Sequence, residues 1–175
     1  MNLIFRNGSI NDLEKLKKLS LKSWSQFQSQ LTPENWERLY ESLSNENTYI
    51  ELLKNSTCFV CKSSNDEIIG MVFLVPKGNP TEIYEETWCY IRFLTVDPHY
   101  GGNGIGRKLT QLCIDMALQN NETEMALHTS EMMDAARFIY ESIGFKIFRE
   151  IDSRLGKRYW LYKLDLLSLK RPSLS

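Results

Sequence analysis

Two periods of apolar residues alternate along the chain and mark out its elements. Residues 2–6 read as a short first strand. Leu13, Leu16, Leu19 and Leu21 to Trp24 then fall near helical spacing with lysines between them, which predicts a helix from about Ile10 to Gln26. Ser9-Ile10-Asn11-Asp12 supplies its start, a hydroxyl cap with an acid three residues on. Thr32-Pro33 repeats the signal with proline at the first helical position, and opens a second helix through Trp36, Leu39, Tyr40 and Leu43.

The texture changes at Thr57. Cys58–Lys62 and Ile68–Val75 are rich in β-branched and aromatic residues and are joined by the polar turn Ser63–Glu67, which predicts a hairpin. Pro76 to Glu86, with Gly78 and Pro80, is expected to be an exposed loop. Trp88 to Val96 is apolar throughout except for Arg92, as in a strand covered on both faces. After a glycine cluster, Ile105, Leu109, Leu112, Cys113 and Met116 recur at offsets of 4, 7, 8 and 11 and predict a helix. A strand over Met125–Thr129, a helix over Asp134–Ser142 and strands over Phe145–Ile151 and Tyr159–Leu166 complete the order. Such an order suits an α/β or α+β sheet with helices on both faces, folded as one domain over residues 1–167 with a frayed tail over 168–175.

Composition narrows the function classes. The chain of 175 residues is 42% hydrophobic and 25% charged, enough for one core and too short for two ordinary domains. Its 21 basic and 22 acidic residues give a net charge of -1, so no general field draws it to nucleic acid or an anionic membrane. Met1 to Ile10 lacks a cationic segment followed by an apolar run, and no stretch of about 18 apolar residues occurs, so a cytoplasmic protein is expected. Cys58 and Cys61 have CxxC spacing, but residues three apart on a strand point to opposite faces. With Cys89 and Cys113 they are read as buried free thiols, and no metal is expected.

The candidate chemistry lies at Gly101-Gly102-Asn103-Gly104-Ile105-Gly106, between the long strand and the helix that follows. Four glycines in six positions strip side chains from the turn, and the helix adds unpaired amides and its dipole, so a phosphate or pyrophosphate is the natural guest. A P-loop is excluded because Arg107-Lys108-Leu109 follows where a lysine and a hydroxyl are needed. The dinucleotide fingerprint is excluded because Gly102, Gly104 and Gly106 give GxGxG after a hairpin. A plain strand-to-helix turn rarely needs so many glycines.

The run Leu94-Thr95-Val96-Asp97-Pro98-His99-Tyr100-Gly101-Gly102-Asn103-Gly104-Ile105-Gly106-Arg107-Lys108-Leu109 resembles the [RQ]xxGx[GA] motif of the GNAT superfamily of acetyl-CoA-dependent N-acetyltransferases. Ala136 to Phe145, a helix carrying Tyr140 and ending in Gly144-Phe145, is similar to a later motif of the same family. The resemblance implies a single GNAT-like domain, a mixed and mostly antiparallel sheet of about seven strands flanked by about four helices. It also implies transfer of an acetyl group from acetyl-CoA to a primary amine of a small molecule or a peptide by direct attack in a ternary complex. In that reading Leu94, Thr95 and Val96 hydrogen-bond the pantetheine arm as an added strand, and the amides of Gly101, Gly102, Asn103, Gly104, Ile105, Gly106 and Arg107 hold the pyrophosphate. Tyr140 matches the family's acid, which protonates the leaving sulfur.

Three positions depart from the family. Gly101 stands where Arg or Gln is usual, Met133 where many members have Asn, and Tyr90 where many have a Glu base. Glu82, Glu85, Glu86 and His128 are left as weaker base or steering candidates, each also readable as structural. Trp24, Phe27, Trp36, Tyr40 and Tyr49 are either core or a wall of the acceptor cleft. Two rival readings stay open, a non-catalytic acyl-CoA-binding or sensor domain and a protein-interaction domain. A homodimer is expected if Tyr159–Leu166 lies at a sheet edge that needs cover.

Overall fold

The protein, seen in a computed structural model, is described over residues 1–170. Strand β1 spans Ile4–Asn7 and leads into a 3-10 turn over Ile10–Asp12 and then helix α1, Leu13–Trp24. The expected cap is present: Ser9 Oγ accepts from Asn11 N at 3.3 Å, and Asp12 accepts from Ser9 N at 2.9 Å. Arg6 adds a two-pronged contact to the Asp12 carboxylate, 2.8 Å on each side, tying β1 to the helix start. A 3-10 stretch, Ser25–Gln30, then turns the chain into α2, Pro33–Ser44, where Thr32 Oγ1 accepts from Asn35 N. The second helix is as expected, and a further one that the sequence reading did not include follows it. Asn45 leaves the helical region (φ -75, ψ 104) and its side chain caps α3, Glu46–Asn55.

The sheet comprises β1, β2 (Thr57–Lys62), β3 (Ile68–Val75), β4 (Cys89–Val96), β5 (Glu124–Ser130), β6 (Lys146–Arg154) and β7 (Lys157–Asp165) in the order β1-β2-β3-β4-β5-β7-β6. All neighbours are antiparallel except β4 and β5, which run parallel. The crossover between those two contains α4, Ile105–Gln119, while α5, Asp134–Ile143, and a short α6, Leu166–Leu169, follow later. The mixed seven-stranded sheet is as expected, with six helices in place of about four. The expected tail from 168 begins within α6, and residues 171–175 lie outside those described.

Helices cover both faces. Leu16 and Leu19 of α1 and Tyr49 of α3 pack on Cys58, Val60, Met71 and Phe73, while Ile105, Leu109 and Cys113 of α4 pack on the opposite face with Cys61, Ile69 and Leu74. Cys58 and Cys61 thus belong to different cores, which is why CxxC spacing gathers no ion here. All four cysteines are free and buried, and burial pushes the Cys58 and Cys89 thiols up to about 12.

Two expectations need correction. The 76–86 loop is not wholly exposed: its ends are joined by Gly78 N donating to Glu86 O, and Tyr84 is 3% exposed because its ring stacks on Tyr90, 4.0 Å between centroids. The last strand is not an edge: β7 lies between β5 and β6, and β6, nearly all of it solvent-exposed, takes the edge instead. The ground given for a homodimer is therefore gone.

Close packing of α4 on the sheet depends on Gly70 of β3, where an added Cβ would lie 2.7 Å from Ile105 Cγ2 and 3.0 Å from Leu109 Cδ1. Replacing Gly70 by Val is expected to cost about 1–3 kcal/mol through overpacking, read by urea unfolding. An unchanged midpoint contradicts that account of the α4 interface.

Candidate active site

β4 and β5 pair at only two positions, Cys89 with Met125 and Tyr90 with Ala126, and then separate. A bulge in β4 accompanies the parting. Between the pairs Phe73–Arg92 and Met71–Thr95, one residue of β3, Val72, is passed by two of β4, Phe93 and Leu94. Phe93 takes φ 54, a conformation costing about 1–3 kcal/mol for a side chain of this size. Its ring is held by Tyr49 (5.6 Å), Phe73 (6.3 Å) and the Arg92 guanidinium (5.3 Å). Beyond the bulge, the side of β4 that faces β5 has no partner strand.

Asp97 fixes what comes next. Burial opposes its ionisation, but Lys22 Nζ at 2.6 Å and the His99 amide at 3.0 Å hold its carboxyl below the usual range. The chain then makes a 3-10 turn over Pro98–Tyr100 and enters the glycine loop. Gly102 (φ 78) and Gly104 (φ 74) are left-handed, and a Cβ at either would project into open space. Gly106 has a different task, because a Cβ there would meet Ile139 Cδ1 at 3.0 Å where α4 approaches α5. Asn103 turns its side chain back, donating to the Tyr100 and Gly101 carbonyls, and so braces the loop. Among the described residues, Gly101 N donates to Pro98 O, but no protein acceptor takes the amides of residues 102–107. Those amides are the helix-mouth donors that an anion would need.

Two clefts meet at this point. One, of about 750 Å³, runs past Leu94 and Val96 to the glycine loop and Arg107, walled by Trp24, Phe27 and α5. The other, of about 340 Å³, lies between α2, the parted strands and the turn after β6. Trp24, Leu94, Met133 and Ala136 line both. Tyr140 lines the second cleft, and burial raises its hydroxyl well above the ordinary tyrosine range. Among the described residues that hydroxyl has no hydrogen-bond partner, while the ring packs edge-on against Phe145 at 5.7 Å.

Most of the sequence-derived candidates converge here. Leu94, Val96, Gly101, Gly102, Gly104, Ile105, Gly106 and Arg107 line the first cleft, and Tyr140 and Thr95 the second. Three contacts qualify the picture: Thr95 Oγ1 donates to Phe93 O, Val96 O accepts from Ser23 Oγ, and Arg107 reaches Ser142 Oγ at 2.6 Å. Glu82, Glu85 and Glu86 line neither cleft but a separate depression with Trp88 and Phe148. Tyr90 donates to Asn79 O and presents no carboxylate. Of the early aromatics, Trp24 and Phe27 are wall residues, whereas Tyr49 is fully buried with its hydroxyl on Leu43 O. Sequence reasoning missed Tyr84, Arg38 and Arg154, which reach the site from a distant loop, a helix and a strand end; Arg92 had a signal, as the lone charge in an apolar strand.

His128 lies on the wall of the second cleft, with Nδ1 2.6 Å from Tyr84 Oη and Nε2 3.4 Å from Arg154 Nη1. Burial, then the charges of Arg154 and Arg92, lower its pKa to about 3. The unfolded chain takes up this proton below about 6.5, while the folded one stays neutral down to about 3. Stability therefore falls as pH drops through that window, by at most about 1.4 kcal/mol per pH unit from this residue. An NMR titration is expected to show the His128 ring neutral from pH 8 to pH 5; a midpoint at 6 or above contradicts the burial argument.

Comparisons with known proteins agree with this geometry. The family model described as acetyltransferase (GNAT) family matches residues 17–145. Human N-acetyltransferase 8B is 30% identical over 90 residues, covering 51% of this chain and 39% of that protein. N-acetylaspartate synthetase of Xenopus tropicalis is 30% identical over 90 residues, covering 51% and 31%. The chain thus spans about two fifths or less of the length of these relatives. Among solved structures, PaiA N-acetyltransferase of Thermoplasma acidophilum in complex with coenzyme A superposes with TM-score 0.76 at 17% identity, covering 94% of this chain and 99% of that one. The ribosomal-protein-S18-alanine N-acetyltransferase of Escherichia coli gives 0.69 at 16%, covering 94% of each chain. These two show the shared fold. With its glycine loop, parted strands and a family match over most of its length, the chain belongs to the acetyltransferase (GNAT) family.

Proposed function

We propose that the protein transfers an acetyl group from acetyl-coenzyme A to a primary amine by direct attack in a ternary complex. One observation carries the reading: a row of unclaimed amides at 102–107 opens onto a cleft that follows the free side of β4 toward Tyr140. A coenzyme bound there meets three needs at once. The diphosphate is received by the α4 amides, the peptide-like pantetheine lies along Leu94–Val96, and the thioester reaches the junction of the two clefts. The coenzyme A in the PaiA complex and the amine-acetylating names of the curated relatives support this assignment.

The amine, entering through the second cleft as the neutral species, attacks the thioester carbonyl carbon. The new C–N bond forms, the C–S bond breaks, Tyr140 gives its proton to the departing thiolate, and the nitrogen loses its surplus proton to solvent, from which Tyr140 is reprotonated. Position suits Tyr140 to this task, since it lines the acceptor cleft with its hydroxyl protonated at neutral pH, whereas burial, by raising its pKa, makes it the weaker acid. No metal is needed, and among the described residues no group of three His, Cys, Asp or Glu side chains is gathered for one. A cytoplasmic setting accords with the four unpaired thiols. Among the described residues no helix is long and apolar enough to cross a membrane.

Tyr140→Phe is expected to lower kcat about a hundredfold while acetyl-CoA affinity is unchanged, measured by thiol release and calorimetry. If acetyl-CoA binds the native chain but no amine releases thiol, the protein is an acyl-CoA-binding sensor and the enzymatic reading is lost. Gly104→Ala forces a side chain onto a left-handed residue among the donor amides. A rise in the acetyl-CoA Kd of at least about tenfold is expected, the equivalent of one charge-assisted hydrogen bond. An unchanged Kd removes the cradle from the account.

A further inference from the structure

The acceptor cleft is lined by three arginines and no acid. Arg38 comes from α2, Arg92 from β4 and Arg154 from the end of β6, and no Asp or Glu lines this cleft with them, although Arg92 also borders a separate depression that holds Glu51. Elsewhere in the fold Arg6, Arg137 and Arg158 each pair with a carboxylate within 4 Å. Among the described residues Arg38, Arg92 and Arg154 have no such partner. Their visible contacts are with neutral groups, Arg92 against the Phe93 ring at 5.3 Å and Arg154 against His128 Nε2 at 3.4 Å.

Arg38 and Arg154 are exposed and Arg92 is half-buried, so the cleft carries a cationic lining with no counter-charge of its own, which an entering anion would offset. None of the three lines the coenzyme cleft, which has its own amides for phosphate. The rest of the acceptor cleft is largely apolar, with Leu39, Leu43, Ile91, Leu127 and Leu155. Its volume of about 340 Å³ suits a small molecule. The same wall is hostile to a polycation, since it has no carboxylate to meet a second ammonium.

We infer that the acceptor is a free amino acid, whose carboxylate is gripped by Arg38, Arg92 and Arg154 while its amine faces the thioester beside Tyr140. The inference rests on the acetyl-transfer reading and adds the acceptor's chemical class. The arginine field also eases the first proton step. It favours loss of the ammonium proton to solvent water, so a cleft without a carboxylate base still holds neutral amine. The C–N bond then forms, the C–S bond breaks, the sulfur takes the Tyr140 proton, the nitrogen gives its surplus proton to solvent water, and solvent returns one to Tyr140.

The test compares acids with their own amides on the native protein, so that it does not depend on any variant folding. Thiol release from acetyl-CoA is measured with glycine, L-aspartate and L-phenylalanine, with the matching carboxamides, and with spermidine. An amino acid amide has the less basic amine, more of it neutral at pH 7, so intrinsic reactivity favours the amide and a preference for the acid reports the pocket. At least one acid is expected to exceed its amide about tenfold in kcat/KM. Arg38→Gln and Arg154→Gln are expected to raise the KM for that acid about tenfold, to narrow the acid-to-amide ratio, and to leave the acetyl-CoA KM unchanged. Equal or better turnover of the amides, or of spermidine, overturns this inference while leaving acetyl transfer intact. If no amine releases thiol, acetyl transfer itself fails. Calorimetry of the same acids and amides against the coenzyme A-loaded protein then decides: acids binding more tightly than amides uphold the arginine grip, and binding of neither or of both alike overturns it.

Discussion

Parallel strands that separate after two paired residues leave a length of backbone without its ladder, and most of what is distinctive in this fold follows from that gap between β4 and β5. An unpaired strand side inside a covered sheet is costly unless something else meets its amides and carbonyls. The bulge at Phe93 sets how the strand turns away, and three surrounding groups, Tyr49, Phe73 and Arg92, keep that residue in a conformation it would not choose alone. The separation makes room for two clefts that share a wall, which the proposed function gives to a coenzyme and to the molecule that receives its acyl group.

The glycine loop completes the coenzyme cleft by a different device. Gly102 and Gly104 hold left-handed backbone that leaves amides bare, while Gly106 lets α4 lie close to α5. Asp97 ties the loop's entry to Lys22 of α1, so the helix that walls the cleft through Trp24 and the glycine loop are braced by one buried carboxylate. Gly101, with φ -58, is under no conformational demand, and a Cβ there would only touch Pro98 O at 3.4 Å. The loop therefore tolerates a side chain at the one position where relatives of this fold family usually carry Arg or Gln.

How much of this could be read from sequence varied with the range of the interaction. Period and caps foretold the strands and long helices, because Ser9, Asp12 and Thr32 act on amides within three residues. Helix α3 went unread, although Asn45 followed by Glu46 is a cap signal within reach of local reasoning. The bare amides of the glycine cluster were legible locally, because four glycines in six positions strip the turn of side chains. Strand order was not, because whether β7 or β6 forms the edge depends on pairings between residues far apart in the chain. The loop residue Tyr84 looked like a solvent-exposed aromatic until its stacking on Tyr90 and its contact with His128 were seen. The arginine-lined cleft was equally hidden, its members being 54 and 62 residues apart in sequence from Arg38 to Arg92 and from Arg92 to Arg154.

The central claim, that bare amides at the mouth of α4 receive the coenzyme's diphosphate, is tested most directly by backbone amide NMR of the labelled protein during addition of coenzyme A. The largest shifts are predicted for residues 102–107, with a second set along Leu94–Val96. Binding that leaves the amides of 102–107 unmoved, or that shifts a different face of the sheet, contradicts the account.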